Sequence, residues 1–245
     1  MIQYQLVYFD VRGLGEVSRQ LFHLANVEFE DIRIPRNDEQ QWKTLKASMP
    51  FAQLPILRFQ NSDTQERFEI PQSSAIGRYL AKKFGKTHHL GFFPISIYIG
   101  YSGNNPEEEA MVDAVIDQFK DFLVSQKQLT LAIRTKRPEE YIVDRIIMLI
   151  IQKIFQKGII DEVVNPAKKI YFNILKKLLQ NSSSGYLVGN SITWADLQIS
   201  DNLTTLKGFG LFDPEDEPIL QQFHQKITNT PKLKSYFENR PVSLL

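Results

Sequence analysis

The sequence of 245 residues contains no cysteine. Disulfide bonds, thiolate-ligated metal sites and cysteine nucleophiles are therefore excluded, because each of them needs a thiol on the chain itself. A disulfide exchange reaction of the thioredoxin type is excluded for the same reason. If thiol chemistry takes place on this protein, the thiol belongs to a bound molecule.

Charge of one sign is not in excess either, since 29 Lys and Arg balance 28 Asp and Glu. The sequence therefore predicts no basic field for nucleic acid and no polybasic membrane patch. Its most apolar window, residues 142–160, carries six charged or amide side chains, which is unlike a membrane span. The first residues show no charged start before an apolar stretch, so we expect no secretory leader and a cytoplasmic location.

The residues that are present predict two domains joined by a linker. Apolar residues make up 42% of the chain, which is enough for a sizeable core. Residues 1–85 alternate strand and helix patterns in the order β-α-β, a short helix, then β-β-α, which predicts a four-stranded mixed sheet with helices on its faces. Residues 86–105, with their glycines and exposed aromatics, predict an extended linker. Residues 106–245 predict an all-α domain.

Two features of the helical part can be placed on particular residues. Apolar spacing predicts one helix over Tyr141–Gln156. Thr193 and Asp196 stand three residues apart, which is typical of a capping box at a helix start. We therefore expect a helix that begins at Trp194 and packs centrally.

A tyrosine ends the first predicted strand. In α/β sheets, ligands bind beyond the carboxyl ends of the strands. The hydroxyl of Tyr8 should emerge there, followed by a turn at Gly13 and Gly15. Taken alone, Tyr8 is more simply explained as a core aromatic with a hydrated tip. Its neighbours make it a candidate hydrogen-bond donor to a ligand.

Two short motifs favour the binding of an extended peptide. Pro55 invites a cis bond, and the backbone of Leu54 would then pair with a peptide as an added strand. An ordinary turn after Gln53 is the alternative. Gln72 and Ser73 open a predicted helix, whose free N–H groups suit a carboxylate. A plain N-cap explains the serine equally well.

Paired polar residues on predicted helices offer further candidates. Trp42 and Lys46 lie four residues apart, so they share one helix face and are suited to donate to a second carboxylate. A half-buried Trp covered by a Lys stem is an equally good explanation. Asp117 and Asp121 have the same spacing. For that pair a solvated helix face is the commoner explanation.

Taken together, five segments resemble those of cytosolic glutathione transferases in order and spacing. The best fit is the sigma class, which includes haematopoietic prostaglandin D synthase and many invertebrate enzymes. The segments are YFDVRGLGEVSRQLF (8–22), FAQLP (51–55), PQSSAIGRYLAKKFG (71–85), VDAVIDQFKDF (112–122) and YLVGNSITWADLQISD (186–201). The resemblance covers both predicted domains and leaves mainly residues 86–105 and about 128–165 unmatched.

The resemblance implies a fold and an activity. Residues 1–85 would form a thioredoxin-like domain that binds glutathione, and residues 106–245 an all-helical domain that carries the acceptor-substrate site. The chain would act as a homodimer that conjugates reduced glutathione, as co-substrate, to hydrophobic electrophiles. Peroxidase or prostaglandin isomerase activity would use the same bound thiol.

The resemblance also implies roles for single residues. Tyr8 would donate to the glutathione sulfur as the catalytic residue, and Asp121 would reach the glutathione of the other subunit. The remaining glutathione contacts come from Trp42 and Lys46 at the glycyl carboxylate, Gln53, Leu54 and Pro55 at the cysteinyl unit, and Gln72 and Ser73 at the γ-glutamyl unit.

The acceptor side shows departures from the family. Phe9, Leu14 and Leu123 are expected to form an apolar wall for the acceptor. Leu14 stands where many sigma enzymes carry an arginine near the sulfur, so a cation is missing there. Lys120 replaces an acid of the cluster that binds a divalent ion in vertebrate prostaglandin synthases, so we expect no metal ion.

A second function stays open at this point. Proteins on the same fold, such as sigma-type lens crystallins, are structural or ligand-carrier proteins without catalysis. Every peptide-anchoring position of this chain is present, which favours the enzyme. Turnover of a generic aryl halide with glutathione separates the two functions. The sequence does not name the electrophile.

Overall fold

The computed structural model describes residues 2–36, 38–61, 63–89, 96–134, 153, 156–241 and 243. Its strands are β1 Ile2–Phe9, β2 Glu30–Ile34, β3 Ile56–Asn61, β4 Arg67–Pro71, β5 Lys86–His89 and β6 Ser96–Ile99. Its helices are α1 Glu16–Ala25, α2 Glu39–Lys46, α3 Ser73–Lys83, α4 Pro106–Arg134, α5 Asn165–Gln180, α6 Trp194–Gly208, α7 Pro218–Thr228 and α8 Pro231–Asn239.

The first four strands form one mixed sheet in the order β2-β1-β3-β4. β1 runs parallel to β2 and antiparallel to β3, which pairs in turn with antiparallel β4. This arrangement confirms the predicted four-stranded mixed sheet. The carboxyl ends of β1 and β2 lie side by side, with Tyr8 opposite Arg33 and Phe9 opposite Ile34.

Alternation along β1 divides its side chains between two cores. Tyr4 belongs to a large apolar cluster that includes α1, α3 and the C-terminal helices. Val7 belongs to a small cluster on the other face, where Trp42 and Leu45 of α2 pack against it. Successive side chains of a strand point to opposite faces, so both faces of the sheet are covered.

The connection between the two parts contains a hairpin that the pattern did not predict. β5 and β6 pair antiparallel, with Lys86 opposite Ile99. The β-branched and aromatic residues of Ser96–Ile99 are the signal for this strand, and the glycines and proline around them obscure it. The helix expected over Tyr141–Gln156 lies mostly outside the described residues. Within the described part of the chain, no helix has the length and apolarity needed to span a bilayer.

The four-stranded sheet and α1–α3, together called the N-terminal lobe, meet the C-terminal helices at a buried tryptophan. Trp194, at the start of α6, is 1% exposed, and its backbone N–H donates to the Tyr101 carbonyl at 2.7 Å. Its ring packs against Gly77 of α3, where a Cβ atom would lie only 2.7 Å from a ring carbon. The guanidinium of Arg78 lies 5.9 Å from the ring centre. A larger residue at position 77 would push the two parts of the chain apart.

The capping box expected at α6 is confirmed. Asp196 is fully buried, and one of its oxygens accepts hydrogen bonds from the N–H and the hydroxyl of Thr193, both at 2.7 Å. Its other oxygen accepts from the Leu187 N–H at 2.8 Å. Burial raises the pKa of Asp196 to about 6, and the hydrogen bonds from Leu187 and Thr193 oppose that rise. The carboxylate therefore joins the loop before α6 to the helix start.

Replacing this carboxylate should cost much more stability than replacing an exposed one. Asp196→Ala leaves buried N–H groups without acceptors, so we expect a loss of about 3 kcal/mol in the free energy of unfolding. Asp213→Ala is the matched control, because the exposed Asp213 accepts one local hydrogen bond, from the Glu215 N–H. Its expected loss is about 0.5 kcal/mol. Urea unfolding measures both, and equal losses would contradict the structural role of Asp196.

Candidate functional site

A cavity of about 320 Å³ opens where the end of the sheet faces the helices. It is lined by Tyr8, Val11, Gly13, Leu14 and Arg36 from the N-terminal lobe, by Phe119, Leu123, Gln126 and Lys127 from α4, and by Gln198, Asp201, Asn202 and Thr205 from α6. The two parts of the chain therefore each supply one side of the cavity.

The hydroxyl of Tyr8 is the buried polar group at the sheet end of this cavity. Tyr8 is 7% exposed, and its hydroxyl oxygen accepts a hydrogen bond from the Leu14 N–H at 3.0 Å. That bond uses an acceptor lone pair and leaves the phenolic proton available to donate. Burial raises the pKa of Tyr8, against the Leu14 N–H and the charges of Arg36 and Arg19. Tyr8 is therefore a neutral donor at neutral pH.

Two glycines let the β1–α1 turn close over the Tyr8 ring. At Gly13, which has a φ of +41°, a Cβ atom would lie 2.7 Å from the Tyr8 hydroxyl oxygen. At Gly15 it would lie 2.6 Å from a ring carbon. The short approach brings the Leu14 N–H within hydrogen-bonding distance, so the turn both covers and orients the phenol.

Arg36 is a residue of the cavity that the sequence analysis missed. It follows β2 by two residues, and β2 lies parallel beside β1, so its side chain reaches the same edge of the sheet as Tyr8. It is half-buried. The sequence contained a signal for Arg36, because the carboxyl ends of neighbouring parallel strands meet at one edge of a sheet.

The residues expected to hold a peptide are brought together at the N-terminus of α3. The side-chain amide of Gln72 donates to the Gln53 side-chain oxygen at 2.9 Å. The bond between Leu54 and Pro55 is cis, as predicted. Gln72 has a φ of 74°, and Ser73 is the first residue of α3. A non-glycine residue at positive φ is costly and is found preferentially at ligand clamps.

The aromatic pair next to Tyr8 lies differently from the expectation. Phe9 packs its ring 5.2 Å from that of Trp42, within the small cluster on the α2 face of the sheet. It is not among the residues that line this cavity, because strand alternation directs it to the opposite face of the sheet from Tyr8. Leu14 and Leu123 do line the cavity. Lys46 is exposed, one turn after the half-buried Trp42.

Asp121 is exposed on α4, outside the set of residues that line the cavity. One turn earlier, Asp117 forms an ion pair of 2.8 Å with Lys120. Among the described residues, no group of three or more histidines and acids is arranged to hold a metal ion.

The α4 and α6 side of the cavity is more polar than an apolar acceptor wall. The side-chain amide of Asn202 donates to the Gln126 side-chain oxygen at 2.8 Å, and both residues are buried. Asp201 accepts from the guanidinium of Arg12 at 2.6 Å, and Thr205 accepts from the same guanidinium at 3.1 Å. Sequence reasoning missed these residues, because their helix faces cannot be assigned to a cavity without the packing.

Known proteins resemble this chain along nearly its whole length. Residues 152–240 match the family described as "Glutathione S-transferase, C-terminal domain". The chain is 43% identical over 241 residues to glutathione S-transferase 3 of Caenorhabditis elegans, and the match covers 98% of each chain. The chain belongs to the glutathione S-transferase family. The expectation of a glutathione transferase is confirmed at the level of the family.

Solved structures of family members superpose on the whole fold. A glutathione S-transferase of the hookworm Necator americanus, described as monomeric, is 33% identical, with a TM-score of 0.74 and 98% coverage of both chains. The prostaglandin synthase D of Nilaparvata lugens is 28% identical, with a TM-score of 0.72, and covers 98% of this chain and 99% of its own. The predicted combination of a mixed-sheet lobe and a helical domain is thus that of the glutathione transferase fold.

The glycines beside Tyr8 lead to a test of the site. Gly15→Ala places a methyl group against the Tyr8 ring, so we expect a loss of about 1–3 kcal/mol in stability and a displaced phenol. Gly158→Ala is the matched control, because a Cβ atom at that position would meet no atom within 4 Å outside its chain neighbours and the nearby backbone of its own helix. It should be neutral or slightly stabilising. Urea unfolding and turnover of an aryl halide check both variants, and a Gly15→Ala variant as stable as the wild type would contradict this packing.

Proposed function

We propose that this chain conjugates reduced glutathione to electrophiles and that Tyr8 stabilises the glutathione thiolate. The observation that carries the proposal is the buried hydroxyl of Tyr8, which accepts from the Leu14 N–H and keeps its own proton for a ligand in the cavity. Leu14 and Leu123 supply apolar surface for the acceptor.

One hydrogen bond supplies about the free energy that ionising the bound thiol requires. A free thiol has a pKa of about 8.5, so little of it is ionised at pH 7. Lowering this pKa by about two units requires about 2.7 kcal/mol of preferential binding to the anion. One hydrogen bond to a charged group contributes about 1.5–3 kcal/mol. The thiol proton leaves to water, and the sulfur electron pair then forms the bond to the electrophilic carbon. The leaving group, such as the halide of an aryl halide, departs from that carbon with its bonding electron pair.

The proposal divides the work between two domains. Residues 1–85 bind glutathione, residues 86–105 form the linker, and residues 106–245 carry the acceptor side. The hydrogen-bonded pair of Gln53 and Gln72, beside the start of α3, supports the γ-glutamyl position. A helix N-terminus offers free N–H groups and a favourable dipole to a carboxylate.

The remaining glutathione contacts are proposed from the same lobe. The Leu54 backbone pairs with the cysteinyl unit beside Pro55, while Trp42 and Lys46 bind the glycyl carboxylate. The half-buried indole of Trp42 and the exposed Lys46 lie on one face of α2, as this role requires. Asp121 is assigned to the glutathione of a second subunit, which accords with its exposure on α4.

The class and side activities are part of the proposal. Assignment to the sigma class is supported by the likeness to an insect prostaglandin synthase. A bound thiolate is also suited to open an endoperoxide. Together with a second glutathione it reduces a hydroperoxide to an alcohol and water, and the two thiols become a disulfide. Peroxidase and prostaglandin isomerase assays therefore belong beside the aryl halide assay. The cytoplasm is the compartment we propose, because its glutathione keeps thiols reduced.

The role of Tyr8 predicts the effect of removing one oxygen atom. Tyr8→Phe should raise the pKa of the bound thiol by about one to two units and lower kcat by about 10- to 100-fold at neutral pH. Glutathione affinity should stay nearly unchanged, since the peptide contacts remain. Tyr101→Phe is the control, because that hydroxyl donates to the Leu24 carbonyl instead. The pH–rate profile is the measurement, and identical profiles for wild type and Tyr8→Phe would refute the role.

If wild-type protein binds glutathione but turns over no aryl halide, hydroperoxide or endoperoxide, the alternative of a ligand carrier on this fold is supported instead. That outcome leaves the glutathione site in place and removes the catalytic proposal. The two readings therefore differ in turnover and not in binding.

A homodimer is the assembly we propose. Phe51 is 72% exposed and is held at a φ of 58° in the turn Pro50–Ala52. A large aromatic side chain displayed on a strained turn is typical of an anchor that fills a pocket of a partner. The monomeric description of the hookworm relative makes the assembly a matter for direct measurement.

We expect the exposed ring of Phe51 to contribute to the dissociation constant of the dimer. Phe51→Ser should weaken self-association by about 2 kcal/mol, or about 30-fold in the dissociation constant. Ile170→Ser is the control, since Ile170 is 62% exposed on α5 and is assigned no contact with a partner. Sedimentation equilibrium compares the variants. A wild-type protein that sediments as a monomer at micromolar concentration would refute the dimer.

A further inference from the structure

The cavity contains a cation at the same edge of the sheet as the Tyr8 hydroxyl. Arg36 follows the carboxyl end of β2, which lies beside the carboxyl end of β1, and both residues line the cavity. Its side chain is half-buried, so its charge is only partly screened by water. Its positive charge acts on the Tyr8 hydroxyl and opposes the rise in the pKa of Tyr8.

Other arginines near this edge are occupied by carboxylates. Arg19 binds Asp31 at 3.0 Å and contacts Glu16, and Arg12 binds Asp201 at 2.6 Å. Among the carboxylates whose side chains the structure describes, none forms an ion pair with Arg36. Lys127 of α4 also lines the cavity, but it is exposed and its charge is screened by water. The charge of the half-buried Arg36 is therefore more available to an anion in the cavity, whereas the charges of Arg12 and Arg19 are neutralised locally.

The charge of Arg36 matters because the residue at position 14 supplies none. Leu14 supplies its backbone N–H to Tyr8 but contributes only an apolar side chain to the cavity. An arginine at that position would bring a positive charge beside the ligand sulfur. In this protein the positive charge that the N-terminal lobe contributes to the cavity is that of Arg36, which follows the carboxyl end of β2.

We propose that Arg36 supplies the positive charge that stabilises the glutathione thiolate in this protein, in place of an arginine at position 14. This inference rests on the proposed function. On ionisation the S–H bond breaks, the electron pair stays on sulfur, and the proton leaves to water. Tyr8 donates a hydrogen bond to the resulting anion, and the guanidinium of Arg36 lowers its energy through the cavity. Arg36 is thus a charge-supplying residue for thiol ionisation rather than a structural surface residue.

The test is a pH titration of the thiol bound to the protein. Glutathione is added to saturation, and the ultraviolet absorbance of the thiolate is followed against pH. Arg36→Gln should raise the pKa of the bound thiol by about one unit, which lowers the thiolate fraction by about tenfold at pH values well below that pKa. Arg36→Lys keeps a cation and should shift the pKa less.

Two further variants separate a local charge effect from other causes. Arg67→Gln removes one positive charge from an exposed position on β4, away from the cavity, and should leave the pKa of the bound thiol unchanged. The double variant Leu14→Arg with Arg36→Gln restores a cation at the edge of the cavity and should return the pKa towards the wild-type value. Urea unfolding of each variant confirms that the fold is intact.

The outcomes distinguish this inference from the proposed function. A shift with Tyr8→Phe but none with Arg36→Gln overturns the role of Arg36 and leaves the conjugation proposal intact. An unchanged thiol pKa in Arg36→Gln together with a higher KM for anionic acceptors also overturns it, because the charge would then serve the acceptor. A wild-type protein that binds glutathione without lowering the pKa of its thiol overturns the proposed function itself.

Discussion

A buried ionic network holds the sheet edge against the helices, and the geometry of the site depends on it. Arg12 of the β1–α1 turn binds Asp201 of α6, while Glu16 of α1 binds Arg240 near the chain end and accepts from the Tyr236 hydroxyl at 2.9 Å. Burial alone would raise the pKa of Glu16, but Arg240 leads the charges that hold it below its usual value. Such networks contribute little net stability but penalise any arrangement that leaves one charge unpaired. The turn over Tyr8 and the α6 side of the cavity therefore keep one relative position.

Within that frame, the proposed ionisation of a thiol uses groups of different origin. A tyrosine phenol is neutral at neutral pH, and burial raises the pKa of Tyr8 further, so the phenol keeps a proton to donate. The Leu14 N–H restricts the orientation of the hydroxyl, and Arg36 lines the same cavity. A hydrogen bond is sensitive to direction, whereas a charge acts at longer range.

The sequence predicted those parts that local pattern controls. Strand and helix periodicity gave the mixed sheet, and proline chemistry and capping gave the cis bond at Pro55 and the box at Asp196. The side of the sheet that Phe9 occupies follows from alternation as well, and the resemblance to family members obscured it. Arg36 and the paired amides of Gln126 and Asn202 depend on contacts between distant elements. A single sequence does not fix such contacts, because many packings satisfy the same helix faces.

Some features of the site reduce the stability of the fold, and they favour catalysis over a carrier role. Gln72 keeps a positive φ where a glycine would be unstrained, and its side chain binds Gln53 beside the helix start. Gly13 and Gly15 accept a loss of backbone entropy so that the turn covers the phenol. A carrier needs a cavity but neither a buried, oriented phenol nor a partly desolvated guanidinium aimed at the same volume. The oriented phenol is the feature that ionising a thiol requires, whereas the strained Gln72 serves ligand binding, which a carrier of glutathione would share.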